Sequence, residues 1–231
     1  MKRELLRVIS AAQAKEHELV SEAGNDLSNS NGRWSSKDHL AHLSWWREHN
    51  VVATINAIRT GGDVPPRLED ESQNAEIYAA TKDLAASQIK DDAKRTWNVF
   101  EDAILACTEH DLVKPHPKAP GFFLWEIVPA HAGHIGTHLM WWHLENGRRE
   151  NAEAAAIWSY EVESEAFPEP AKRADASYNL ACFYSRAGQA DKAVELLRGA
   201  LAAKPELKQL AATDPDLEPI REDPRVVEVL A

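Results

Sequence analysis

Sulfur, glycine and long apolar runs are scarce in this chain of 231 residues. Its two cysteines, Cys107 and Cys182, lie far apart and have no CxxC partner. They read as small buried apolar residues of a reducing compartment. No apolar run approaches the ~18 residues that a membrane-crossing helix needs. The opening segment lacks the uninterrupted apolar stretch of a signal peptide, because Glu4, Lys15, Glu16 and Glu18 break it. These absences predict a cytoplasmic protein with no membrane partner. Excess positive charge is also missing: the net charge is −11, which argues against nucleic acid as a partner. There is no phosphate-binding loop, no glycine-rich dinucleotide turn and no nucleophile elbow. Gly61-Gly62 sits in a loop and is not a phosphate cradle.

What the chain does have is helical periodicity and 44% apolar residues, enough for a sizeable core. Residues 2–24 place Leu5, Val8, Ile9, Ala12, Leu19 and Val20 at helical spacing. A polar turn over 25–33, with Gly32, follows. Ser35 and Asp38 form the pattern of a capping box for a helix from Ser36 to about Arg59. Residues 74–80 suggest a short helix. A longer one over 87–107 carries the buried stripe Ile89, Ala93, Trp97, Phe100, Ile104 and Cys107. Three prolines and a glycine break the chain before a fourth helix, which has Pro129 near its start and ends at Asn146-Gly147. The expected fold is all-α, a four-helix bundle followed by a small helical lobe. In that lobe, after a helix over 150–166, Leu180, Ala181, Tyr184, Gly188, Ala193, Leu197, Ala200 and Pro205 match the spacing of one tetratricopeptide repeat. The boundaries expected are 1–147 for the bundle, 148–169 for a connecting helix and linker, and 170–231 for the repeat and its cap.

Ten histidines and eight tryptophans are present, and the most informative histidines lie in WSSKDHLAHLSWW and HAGHIGTHLMWW. His134 and His138 stand one helical turn apart, about 6 Å along the axis, so their imidazoles share a face and can converge on one divalent ion. His131 with His134 is the competing pair; His131 and His138, about 10 Å apart, are too far to share an ion. On the second helix His39, His42, Trp46 and His49 share a face. A spaced pair of this kind is also common as plain structure. Trp45, Trp46, Trp141 and Trp142 are of types that fill cores or wall apolar pockets.

The pieces WSSKDHLAHLSWW and HIGTHLMWW resemble the bacterial DinB/YfiT-like superfamily of four-helix bundles over residues 1–147. They are also similar to the related ClbS/DfsB group and to the metal domain of mycothiol-dependent maleylpyruvate isomerase. The resemblance implies His42, His134 and His138 as ligands of a divalent metal, zinc or nickel, with an open coordination position. It further implies thiol transferase, isomerase or hydrolase chemistry on a small-molecule substrate, with a low-molecular-weight thiol as co-substrate. His131, Glu145 and Tyr78 are candidates for supporting the ligands or moving protons, and Trp46, Trp141 and Trp142 for walling the pocket. The repeat-like lobe lies outside the usual family pattern and suggests a protein partner there; a homodimer is a separate expectation for the chain. The alternatives are a non-catalytic binding module and a ClbS-like protein that detoxifies or sequesters a reactive metabolite.

Overall fold

The computed structural model describes residues 1–26, 33–66 and 70–230, with the side chains of Asp70 and Glu71 outside that description. Most of the polar turn expected over 25–33, Gly32 included, therefore lies outside the described residues. All named secondary structure among the described residues is helical, which bears out the all-α class. No helix among them is long and apolar enough to cross a membrane. The chain divides into two compact units, Met1–His138 and Leu139–Ala231.

The first unit opens with α1 (Lys2–Glu22) and α2 (Ser36–Trp46). Ser35 caps α2 as expected: its hydroxyl accepts from the Asp38 N–H at 3.2 Å, and the Asp38 carboxylate accepts from the Ser35 N–H at 2.8 Å. The helix expected over 36–59 is not uniform. Arg47–Val52 forms a π-helical turn before α3 (Ala53–Thr60) resumes the ordinary pitch. Such a turn rotates everything after it relative to a regular helix, and nothing in the residue pattern signals it. Gly61 then ends α3 in the left-handed region, at φ 75°, where a side chain would be strained. Next come α4 (Asp70–Thr81), longer at its start than the 74–80 expected, α5 (Ala86–Ala106) and the short α6 (Glu109–Leu112). A 3₁₀ turn (Leu124–Glu126) leads into α7 (Ile127–Glu145). The predicted stripe of α5 is buried at all six positions. α2 packs on α1, α4 and α5, with Leu40, Ala41, Ile89 and Ala93 in one apolar cluster.

Charged residues are buried within this interior, and two of them, Glu16 and Arg47, meet each other. Glu16 continues the buried stripe of α1, and Arg47 opens the π turn; their side chains are 1% and 0% exposed and form an ion pair. The Trp97 indole N–H donates to Glu16 at 2.7 Å. Arg47 donates to the Thr96 hydroxyl at 2.9 Å and to His131 Nε2 at 3.2 Å, and its guanidinium lies 3.8 Å from the centre of the Trp97 ring. One buried cation thus links α1, the π turn, α5 and α7.

The second unit holds α8 (Arg149–Ala166), α9 (Pro170–Arg186), α10 (Ala190–Ala203), α11 (Leu207–Ala211), a 3₁₀ turn (Pro215–Ile220) and α12 (Pro224–Leu230). α9 packs on both α8 and α10. Ala174, Ala181, Ala193 and Ala200 are buried, and small side chains of this kind let helices approach closely. Gly188, at φ 74°, makes the turn between α9 and α10. The Tyr178 hydroxyl donates to Asp214 at 2.8 Å and Arg186 pairs with Asp216 at 2.8 Å, which fastens the 3₁₀ turn to α9.

Replacing Arg47 by Met strands the Glu16 carboxylate in an apolar interior, and the expected cost is about 3–5 kcal/mol of unfolding free energy in urea denaturation. Adding Glu16→Leu should make the double variant more stable than Arg47→Met alone. A loss below ~1 kcal/mol in the single variant would show that the pair does not hold the unit together.

Candidate metal centre

α2 and α7 bring three imidazoles to one point. His42 Nε2 lies 3.3 Å from His134 Nε2, which lies 3.0 Å from His138 Nε2. One nitrogen from each of the three falls within 4.8 Å of the others. Ligand nitrogens on a tetrahedron with bonds of ~2.05 Å stand about 3.3 Å apart, so the observed spacings suit a single ion. The charge state suits it too. Burial, with smaller effects from His134 and His39, holds His42 down to about 2, and burial with the nearby Arg47 holds His134 down to about 4. Burial first, then the neighbouring histidines, keeps His138 well below the ordinary value. All three are neutral near pH 7, the form that donates a lone pair to a metal. Without a cation, three neutral rings cannot all satisfy one another, since His134 Nε2 faces two nitrogens and carries at most one proton. The group could therefore hold a metal ion.

His39 takes a different place from the one its helix position suggested. Its Nδ1 sits 2.9 Å from His138 Nδ1, on the ring edge opposite the nitrogen that faces His134. With Nε2 left as a lone pair, His138 carries its proton on Nδ1 and donates it to His39. That contact fixes both the tautomer and the orientation of His138. Burial holds His39 down to about 3, with the Asp26 carboxylate acting weakly the other way. His39 Nε2 and His42 Nδ1 are buried and meet no hydrogen-bond partner among the described residues. Trp34, just before the cap of α2, covers the group: its ring lies 5.4 Å from His39, 5.2 Å from His42 and 6.1 Å from His138, stacked on the last.

The remaining sequence candidates separate. Trp46 lines a cavity of about 250 Å³ with His42, His134 and His138, and its indole N–H donates to Asn74 at 3.4 Å. His131 is buried, but its Nε2 is taken by Arg47 and its ring centre stands 6.1 Å from that of His134, so the competing pair with His134 does not form. It lines a second, larger cavity instead. Tyr78, Glu145, Trp141 and Trp142 line neither cavity. On α4 the lining residue is Asn74, one turn before Tyr78. Trp142 lies a full turn, about 6 Å, along α7 beyond His138. It belongs to the second unit, as do Trp141 and Glu145. There Trp141 lies under Arg186 and Trp142 under Arg148, at 5.2 and 4.1 Å. Sequence reasoning missed Trp34, Asn74, Arg47 and the supporting position of His39. Only Glu16, the partner of Arg47, left a signal, as a carboxylate inside an apolar stripe.

A comparison with known protein families, with curated proteins and with solved structures finds no match to this chain.

Loss of the His39 acceptor should weaken metal binding without unfolding the site. His39→Leu is expected to lower zinc affinity about 10–100-fold, and His39→Gln, whose amide oxygen can accept from His138, to restore most of it. The measurement is competition with a chelator, with the metal-free melting curve as a control. Wild-type affinity in His39→Leu would contradict the positioning role.

Proposed function

We propose that this chain is a metal-dependent enzyme of the DinB-like type that acts on a small molecule, with His42, His134 and His138 holding a divalent ion, zinc or nickel. The observation that carries the reading is the convergence of three neutral imidazole nitrogens from two helices, backed by His39. The motif pieces around these histidines are the second support. In this reading α1, α2 with α3, α5 and α7 are the four helices of the bundle, and α9 with α10 is a single tetratricopeptide-like hairpin.

A divalent ion with three imidazole ligands and an open position lowers the pKa of a bound water or thiol, which supplies a nucleophile near neutral pH for thiol transfer, isomerisation or hydrolysis. The chain's own residues do the rest. His39 orients His138, Arg47 holds His131 beside the group, and Trp34 shields the imidazoles from water. Trp46 and Asn74 form the wall where a substrate approaches.

A second reading concerns the lobe. A groove of about 410 Å³ is lined by Tyr160, Ser177, Tyr184, Lys192, Glu195 and Leu196. This mixed polar and aromatic surface suits a protein partner and is compatible with a metal enzyme in the same chain.

Metal content tests the main reading. After reconstitution with zinc or nickel and desalting, the untagged protein should retain about one ion per chain. His42→Ala, His134→Ala and His138→Ala should each lower the affinity at least 100-fold while keeping helical content. No retained metal in the wild type would overturn the reading, and retention in all three variants would show that the ligands lie elsewhere.

A further inference from the structure

The larger cavity beside the histidines has a volume of about 500 Å³, within the ~300–1,000 Å³ usual for small-molecule sites. Its walls come from the end of α2, the π turn, α3, the loop after α6 and the start of α7. His134 and Trp46 line both this cavity and the smaller one at the triad, so the two adjoin. The apolar wall is Trp46, Val51, Phe122, Ile127 and Ala130.

No Asp, Glu, Lys or Arg lines it among the described residues, although 27% of the chain is charged. Lys118, in the loop that forms one wall, is turned to other work: its ammonium donates to the Val64 carbonyl at 3.0 Å. The polar groups present are neutral. They are the Asn50 amide, the Thr54 hydroxyl, His116, His131 and His134. Burial, with help from Lys118, moves His116 below the ordinary value, and its Nδ1 accepts the Lys118 N–H at 3.1 Å. Its proton is therefore on Nε2, which makes His116 a hydrogen-bond donor. The loop that carries it is fixed: the His116 N–H donates to the Phe122 carbonyl at 2.7 Å, and Pro115 pairs with Phe123.

We propose that this cavity binds the body of an uncharged, mainly apolar small molecule whose one donor group reaches the His42–His134–His138 triad. A charged body would lose its hydration and meet no counter-ion. An apolar body meets Trp46, Val51, Phe122 and Ile127, and a single carbonyl or ether oxygen on it can accept from His116. The donor end rests on the metal-centre reading above; the body rests on the cavity alone.

Three hydroxamic acids, which share one metal-binding head, separate these parts when titrated into the cobalt-loaded protein and followed by visible absorption. Phenylacetohydroxamic acid should bind at least tenfold more tightly than acetohydroxamic acid. The monohydroxamate of succinic acid, with its charged body, should bind no more tightly than acetohydroxamic acid. Ala130→Phe, which fills the cavity from α7, should remove the phenyl advantage while leaving cobalt content and acetohydroxamate affinity unchanged. Equal affinities for the three in the wild type would overturn the proposal. The metal-free protein gives an independent readout by calorimetry. There 2-naphthol should bind one-to-one and 2-naphthoate at least tenfold more weakly, and Ala130→Phe should abolish the naphthol signal. Equal binding of the two, or naphthol binding that survives the filling substitution, would overturn it as well. Failure to retain cobalt with intact naphthol discrimination would sink the metal reading and leave the cavity assignment standing.

Discussion

The buried Glu16–Arg47 pair is the constraint on which the arrangement of the first unit depends. A fully buried guanidinium stays charged, so it must meet a counter-ion and exhaust its donors. Arg47 does so by reaching α1 through Glu16, α5 through Thr96 and α7 through His131. Each partner is acceptable only at one register of its helix. Fixing His131 on α7 also fixes His134 and His138, one and two turns further along the same face, opposite His42 on α2. The pair is therefore a positional device: an apolar replacement could match its stability but would not specify where α7 sits against the π turn.

The π turn serves the same end. It carries Arg47 inward at its first residue and places Asn50, Val51 and, just after it, Thr54 along the larger cavity. Imidazoles, apolar wall and neutral polar groups thus sit around a cavity that no Asp, Glu, Lys or Arg lines among the described residues. Burial keeps the histidines unprotonated at ordinary pH, so the lone pairs that a cation needs are present without loss of a proton.

Much of this was legible in the residues because helices declare themselves through spacing. The stripe from Ile89 to Cys107, the Ser35–Asp38 cap and the turn glycines Gly61 and Gly188 all follow local rules, and all are found where those rules put them. The convergence of His42 with His134 and His138 was a further step. Spacing placed two rings on one face of α7, but only the resemblance selected His42 over His39. The structure gives the reason that spacing lacked, since His39 lies behind His138 while His42 faces His134. By spacing, Trp142 and Glu145 continue the face of the histidines and yet line neither cavity, because a helix face runs on past the turns that carry the site. The tertiary role of Arg47 depends on contacts distant in the chain, and neither it nor the π turn has a local signature.

The metal-centre proposal stands or falls on whether His42, His134 and His138 bind one divalent ion. X-ray absorption at the zinc edge of the reconstituted protein tests it most directly. The expected spectrum has three imidazole nitrogens at about 2.0–2.1 Å, one further light ligand and no sulfur, with one imidazole fewer in His42→Ala. A sulfur shell near 2.3 Å, or a spectrum unchanged by His42→Ala, would contradict it.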